Sequence, residues 1–573
     1  MLTETARSMP LTNAPDAALL FPTLTSAQIA RIASHGVTRP VTHGEVLIEG
    51  GQTDVPFFVL QAGEIEVIRP SGLGDLLIAV LRPAQFTGDV SMILGRPAQM
   101  RLSVSKSGEV VQLTRDQMHA VIQTDAEISE VLMKALIHRR IATVAQGIGD
   151  VLLIGSARSA ATLRVKAFLT RNGHPFKYLD LDRDADVRDL LDRFRVDAAE
   201  IPVVICRGEN VLKNPGNQEI ADGLGFNDQI DRLHLRDVAI LGAGPAGLAA
   251  AVCAASEGLD ALVIEANSPG GQAGSSSRIE NYLGFPAGIS GQELAGRAYA
   301  QAQKFGAAVM IAKGVTELTC ERMPYAVRLD DGATIAARTV IIATGARYRK
   351  PSLANLDLFE GAGIYYSATF MEAQLCGGEE VIVVGGANSA GQAAVFLARM
   401  VKRVHLLVRS NNLSTSMSRY LIRRIEETPT IQLRTRTEIV ALEGNGHLER
   451  VQWRDGAGEV TSHHVRHMFM MTGAEANTDW LNGRVTLDEK GFVKTGTDLT
   501  QENLSAAQWP LERSPYLLET SLPGVFAVGD VRCGNIKRVA SAVGEGSIAI
   551  SFVHRVLAES RDVSQAAVRL EEA

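Results

Sequence analysis

Short apolar runs separated by Gly, Pro and Asp mark the chain from Phe58 to Leu113, among them Phe57-Phe58-Val59-Leu60, Ile65-Glu66-Val67-Ile68 and Leu76-Leu77-Ile78-Ala79-Val80. Runs of that length and spacing predict a small antiparallel β-domain. Helical periodicity follows from Arg115 to about Gln146. From Val151 to about Leu224 strands and helices alternate. The strands are Val151-Leu152-Leu153-Ile154, Tyr178-Leu179-Asp180-Leu181 and Val203-Val204-Ile205-Cys206, and the helices Ala160 to Thr170 and Val187 to Phe194. That βαβαβ order predicts an α/β unit. From Val238 onward two stronger patterns appear, each a buried-strand run that enters a glycine-rich turn and then a helix.

In the first, Val238-Ala239-Ile240-Leu241 leads into Gly242-Ala243-Gly244-Pro245-Ala246-Gly247. Gly242 permits the tight turn, Gly244 lets the backbone approach a pyrophosphate, and Gly247 lets the helix pack against the strand. The helix N-terminus presents N–H groups and the positive end of its dipole to phosphate. The next strand, Ala261-Leu262-Val263-Ile264, ends in Glu265, a carboxylate that can accept from a ribose diol. In the second pattern, Val381-Ile382-Val383-Val384 leads into Gly385-Gly386-Ala387-Asn388-Ser389-Ala390. Ala387 replaces the glycine of close approach. The following strand, Val404 to Val408, ends in Arg409-Ser410; a cation there suits the 2′-phosphate of NADP, and a solvated surface charge is its plain alternative.

The chain's 573 residues are too many for one core and imply three or four domains. A net charge of −7 offers no attraction to nucleic acid or anionic membranes. No apolar stretch reaches membrane-spanning length, and Met1 to Pro10 lacks a secretion-signal pattern. The five cysteines, Cys206, Cys253, Cys320, Cys376 and Cys533, never fall in C-x-x-C spacing, which excludes a local dithiol and a zinc ribbon. An odd count fits a reducing cytoplasm, and no metal site is expected. His405 and the His463-His464 pair have no catalytic neighbours and read as structural or solvated.

Further motifs give the two turns a family. Gly270-Gly271-Gln272 and Ile279-Glu280-Asn281-Tyr282 resemble flavin-contacting loops of low-molecular-weight thioredoxin reductases. Ala343-Thr344-Gly345 resembles the family's crossover between nucleotide domains, and Thr472-Gly473 with Asn477-Thr478 its return, where Ala476 stands for the usual proline. Phe526-Ala527-Val528-Gly529-Asp530 resembles the strand whose aspartate holds the flavin ribityl chain, and Arg538-Val539-Ala540, with Gly544 and Gly546, the helix over the pyrimidine end of the flavin. The resemblance covers roughly Asp237 to Glu559 and implies FAD and NADPH as cofactors. It also implies an FAD domain at 237–350 and 477–562, an inserted NAD(P)H domain at 351–476, and a homodimer. Gly44-Glu45, Gln61-Ala62-Gly63-Glu64-Ile65-Glu66-Val67 and Phe86-Thr87-Gly88-Asp89-Val90-Ser91-Met92 resemble the β-roll and phosphate cassette of a cyclic nucleotide-binding domain, assigned to residues 1–147. Residues 148–228 resemble a glutaredoxin-like thioredoxin fold with Ile201-Pro202-Val203 as its cis-proline segment. The fold class is thus multidomain α/β: two Rossmann-like domains preceded by a β-roll and a thioredoxin-fold domain.

Departures from these families matter as much as the matches. Ser367 and Phe370 occupy the positions of the reductase's Cys-x-x-Cys pair, and neither can attack flavin or hold a disulfide. Cys376 follows alone. Cys533 lies near Asp530; a reactive role needs exposure and a lowered thiol pKa, which Lys537 and Arg538 would favour, and a buried filler is the alternative. In the middle unit Ser159 and Thr162 fall near the glutaredoxin active-site pair. In the β-roll, Asp89 replaces the glutamate expected at a ribose, and Ala98 the arginine expected at a cyclic phosphate, with Arg96 and Arg101 as substitutes starting elsewhere. A cyclic nucleotide is the ligand this resemblance suggests, weakened by that loss.

Three readings remain: a reductase passing hydride from NADPH to FAD and on to an unidentified protein or small-molecule acceptor; a disulfide reductase using an external thiol or a partner protein; and a redox or nucleotide sensor with little turnover.

Overall fold

The computed structural model describes all residues except 1–10, 14–16, 70–74, 89, 94–95, 146–150, 157–158, 183–199, 207–209, 277, 320–323, 369, 446 and 572–573. The described chain falls into two units. One holds residues 1–157, 165–231 and 300–312; the other holds 158–164, 232–299 and 313–573.

In the first unit, Phe57–Arg69 and Arg101–Leu113 pair antiparallel along most of their length. Val37–Val41, Val46–Ile48 and Leu76–Leu81 complete this five-stranded sheet. Phe57, Val59, Ile65, Leu102, Val104 and Val111 of these strands are buried in one core. The runs at 57–60 and 65–68 form one continuous strand, with register shifts between Leu60 and Ile65. Gly63 takes a φ of +94° at that irregularity, so the glycine that punctuates the sequence makes a bulge and not a turn. The predicted helical region divides at Asp125 into Arg115–Thr124 and Ala126–Ala145. Thr114 caps the former, accepting from Gln117 N–H while Gln117 accepts from Thr114 N–H.

Also in this unit, Val151–Gly155 pairs parallel with Phe176–Asp180 and antiparallel with Val203–Cys206. An edge strand, Asn210–Lys213, pairs with the last and has no counterpart in the sequence reading. Its exposed ends and single half-buried pair, Val211 and Leu212, give it almost no apolar signal. The helix at Ala160–Arg171 forms as predicted, whereas Val187–Phe194 lies outside the described residues. The Ile201–Pro202 bond is cis.

The second unit contains two sheets with parallel centres, the first of them extended by the antiparallel strands Tyr325–Leu329 and Val315–Thr319. In one, Arg236–Leu241 lies between Ala261–Glu265 and Thr334–Ile342, and Val525–Ala527 pairs parallel with the last strand. In the other, Glu380–Val384 lies between Arg403–Val408 and His467–Met470. Both central strands are buried throughout their apolar run, which is why each reads as a continuous hydrophobic stretch. Ala346–Tyr348 and Ala474–Ala476 pair antiparallel, so the chain leaves the first sheet and returns to it through one two-stranded ribbon. Among the described residues no helix is long and apolar enough to cross a membrane, and no group of three or more His, Cys, Asp and Glu is arranged to hold a metal.

Candidate functional site

The buried strand 236–241 ends at Gly242, whose φ of +108° turns the chain sharply. A Cβ on Gly242 would lie 2.5 Å from the Ala343 carbonyl oxygen, and one on Gly247 would overlap the Gly242 carbonyl oxygen. Both glycines are therefore required by the packing of strand, turn and helix. Gly244 is different. Its φ of −71° is open to any residue, and a Cβ there would meet nothing nearer than the Gly271 Cα at 4.0 Å. The protein's own packing gives no reason for a missing side chain at 244. Pro245 opens the helix Pro245–Ser256 at its first turn, and Ala246 is buried beneath it.

Glu265 closes the second strand. Its Oε2 accepts from Ala243 N–H at 2.8 Å, and its Oε1 accepts from Asn267 N–H at 2.9 Å and Ser268 N–H at 3.2 Å. The carboxylate is thus fixed beside the turn. Gly270 and Gly271 take positive φ and bring Gly271 against Gly244, while the Gln272 amide donates to the Ala346 carbonyl. Asn281 is exposed. At the crossover, Thr344 donates to the Asn477 carbonyl at 2.9 Å, and Asn477 N–H donates to the carbonyl of Gly345, whose φ is +66°.

Gly529 N–H donates to Glu545 Oε2 at 2.7 Å, and Arg532 pairs with the same carboxylate at 2.6 Å. Asp530 follows, with its carboxyl pushed up by burial; Lys537 opposes that shift and Glu545 adds to it. Arg538 and Ala540 are exposed and Val539 half-buried where the long helix Val539–Glu571 begins. A Cβ on Gly546 of that helix would overlap the Ala246 carbonyl, so this glycine lets it pack directly on the helix of the first turn. The clamping role of Glu545 escaped the sequence reading, because nothing local ties it to a glycine sixteen residues earlier.

The second turn repeats the geometry. Gly385 has a φ of +143°, and its missing Cβ makes room for the Met471 carbonyl. A Cβ on Gly386 would come within 2.9 Å of Val408 Cγ1. Ala387 caps the helix Asn388–Leu397 at an ordinary φ of −101°. Asn388 Oδ1 accepts from Ser418 N–H at 2.8 Å, and Ser416 donates to the Gly386 carbonyl at 2.8 Å, which folds the 410–418 loop over the turn. Ser389 is exposed and Ala390 buried. Ser410 donates to the Asn412 carbonyl. Arg409 is exposed and makes no ion pair among the described residues.

Glu280 accepts from Tyr420 Oη at 2.9 Å and pairs with Arg424 at 3.3 Å, both from the helix Arg419–Glu426. This contact between the loop at 279–282 and the second sheet's helix has no signal in the sequence.

Cys376 and Cys533 are not primed for attack. Cys376 is fully buried and donates to the Glu372 carbonyl, and burial beside Glu379 and Glu372 pushes its thiol up to about 12. The cations near Cys533 in sequence do not activate it. Lys537 lies over the Phe492 ring at 4.6 Å, and burial together with a hydrogen bond to Asp488 pushes the Cys533 thiol up. Cys206 is core, as expected, and Cys320 lies outside the described residues. Ser367 is half-buried ahead of the helix Phe370–Leu375, and the side chain of Phe370 lies outside the described residues. Ser159 Oγ accepts from Thr162 N–H at 3.4 Å, and Thr162 is fully buried. His405 is buried against Glu380 at 3.0 Å and His463 stacks on Trp453 at 3.5 Å, both structural settings.

Comparison with known proteins agrees with this arrangement. The family model described as pyridine nucleotide-disulphide oxidoreductase matches residues 236–546, and the cyclic nucleotide-binding domain model matches residues 38–125. The thioredoxin reductase of Mycoplasmopsis pulmonis is 30% identical over 314 residues, 55% of this chain and 94% of its own length. That of Mycolicibacterium smegmatis is 32% identical over 331 residues, 57% of this chain and 97% of its own. The crystal structure of T. acidophilum thioredoxin reductase superposes with a TM-score of 0.50 at 27% identity, covering 58% of this chain and 99% of that one.

Proposed function

The chain belongs to the pyridine nucleotide-disulphide oxidoreductase family, and on that premise we propose that it is an NADPH-dependent flavoprotein reductase that works without an internal dithiol. The observation that carries this reading is Gly244, a glycine that the fold does not need, at a helix N-terminus beside a fixed carboxylate. Gly242, Gly244 and Gly247 form a cradle for the FAD pyrophosphate, and Glu265 accepts from the adenosine ribose. Gly271, Gln272, Asn281, Thr344, Gly345, Gly529 and Asp530 line the rest of that cofactor's path, and Arg538, Val539 and Ala540 begin the helix at its ring end. Gly385, Gly386, Asn388, Ser389 and Ala390 hold the second pyrophosphate, and Arg409 with Ser410 meets the NADPH 2′-phosphate. A bound flavin supplies reversible two-electron chemistry toward a nicotinamide, so these residues need only bind and orient. The two-stranded ribbon at 346–348 and 474–476 supports an inserted nucleotide domain spanning 351–476.

The chain contains no Cys-x-x-Cys, and its buried Cys376 thiol stays protonated near neutrality. Electrons therefore leave to an acceptor other than an internal disulfide. A second reading, disulfide reduction with an external thiol, gains from the middle strands: Val151–Gly155 sits between one parallel and one antiparallel neighbour, an order that suits a thioredoxin-like fold. The test is steady-state NADPH oxidation by the flavin-loaded protein, with thioredoxin alone, thioredoxin plus glutathione, and ferricyanide as acceptors. The dithiol-free reading expects turnover with ferricyanide and none with thioredoxin alone. Thioredoxin turnover that is lost in Cys376→Ser or Cys533→Ser would replace it with an internal-thiol mechanism.

A further inference from the structure

The β-roll of the first unit holds a partly open pocket of about 100 Å3. Phe21, Ile48, Ile78, Leu81, Met92 and Leu102 line it, and all are buried. Leu11, from the short turn Leu11–Asn13, also faces it. The polar side chains at its border are engaged by the protein itself. Thr87 Oγ1 accepts from Phe58 N–H at 2.9 Å, Gln99 Oε1 accepts from Arg140 at 3.4 Å, and Thr143 donates to the Arg139 carbonyl. Arg139 donates to the carbonyls of Leu20, Gly88 and Phe86 at 2.7, 2.7 and 3.0 Å, and lies 4.7 Å from the ring centroids of both Phe21 and Phe86.

The cations that a cyclic phosphate needs are committed elsewhere. Ala98 puts a methyl where the resemblance expects arginine, and its N–H and carbonyl bond Gln52 and Gly51. Arg96 lies 4.0 Å over the Phe226 ring, and Arg101 is bridged to Glu49 at 2.9 Å and Asp75 at 3.2 Å. Neither substitute for the lost arginine is therefore directed at a phosphate. The cations in the pocket wall, Arg96 and Arg139, are already engaged by the Phe226 ring and by three main-chain carbonyls, so an anion placed there would lose its water and gain a counter-charge only by breaking those contacts. Apolar cavities of similar scale, roughly 150 Å3, stay dry and take up benzene or xenon.

We propose that this pocket binds a compact neutral apolar molecule, of benzene size or slightly smaller, and not a cyclic nucleotide. The inference rests on the β-roll alone and is independent of the reductase reading. The test uses the full-length, flavin-loaded protein with benzene as probe. Benzene should raise the thermal unfolding midpoint saturably, and cyclic AMP and cyclic GMP should leave it unmoved. Ala79 lies in the wall and is 1% exposed; Ala79→Leu should weaken the benzene response at least tenfold with flavin content unchanged. Should that variant not fold, crystals of the natural protein under xenon pressure decide, with xenon density expected in the cavity. Saturable binding of either cyclic nucleotide, an equal benzene response in Ala79→Leu, or a cavity without xenon would overturn the proposal.

Discussion

The two strand–turn–helix segments, 238–265 and 381–409, have the same backbone and different chemistry. Each turn opens on a glycine of positive φ, +108° at Gly242 and +143° at Gly385, tucked under a carbonyl of a neighbouring strand's end, Ala343 and Met471. Each helix begins at a residue of ordinary backbone conformation, Gly244 in one and Ala387 in the other. The fold accepts a methyl at that position in the second segment, which is why its absence in the first speaks for a ligand. The segments part again at the end of the following strand. Glu265 is held by three main-chain N–H groups, whereas Arg409 stands exposed. Packing thus sets the turn, and on the proposed reading single residues at its rim set what it binds.

The sharpest way to break this comparison is at Gly244 and Gly247. Gly244→Val should leave secondary structure intact and lower the apoprotein's unfolding midpoint only by the loss of a good N-cap, about 0.5–1 kcal/mol, while flavin content falls below about a tenth, because the side chain fills ligand space. Gly247→Ala should instead destabilise the protein by about 1–3 kcal/mol, because its Cβ meets backbone. Flavin absorbance per protein and thermal melts separate the two; equal loss of stability in both variants would sink the distinction.

Next in size is Arg409→Glu. Losing a charge-assisted contact and adding repulsion should lower kcat/KM for NADPH by about tenfold to a hundredfold and affect NADH far less. An unchanged NADPH-to-NADH ratio would reduce Arg409 to a surface charge.

Ala387→Gly makes the second turn more like the first. Removing the methyl should tighten NADPH binding two- to threefold at most, since the helix keeps its cap geometry and Gly caps at least as well as Ala. Titration calorimetry on the flavin-loaded protein reads the change; weaker binding would show that the methyl contacts the dinucleotide favourably.

The smallest effect belongs to Cys376. Its folded-state pKa is raised from 9.0 to about 12. The native state therefore holds a proton that the unfolded state has released between those values. That stabilisation is full below about pH 9 and is lost as pH rises toward 12. Cys376→Ala should flatten the alkaline fall in unfolding midpoint and leave NADPH–ferricyanide turnover within twofold. A loss of turnover would give this thiol a chemical role.

The parts of the molecule legible in the sequence are those set by local pattern. Both buried strands, both turns and their helices follow from apolar runs ending in glycine. Gly63 looks like a breaker of the long strand Phe57–Arg69, yet Gly108 on the partner strand passes so close to Ala62 and Gly63 that a Cβ there would strike the Ala62 carbonyl. The site's second layer depends on distant partners: Glu545 on Gly529, Asp488 on Cys533, and Tyr420 with Arg424 on Glu280. Those pairs are made by tertiary packing and leave no periodic or motif signal. Arg96 and Arg101 teach the same lesson in the β-roll, where the right residue type near the right place is directed at Phe226, Glu49 and Asp75.

The central claim, that two dinucleotide sites in one chain pass a hydride between them, is tested most directly by anaerobic mixing of the purified flavoprotein with NADPH and, separately, NADH. The account predicts rapid bleaching of the flavin absorbance band by NADPH and slower bleaching by NADH. No bleaching by either nucleotide, in protein that retains its flavin, would contradict it.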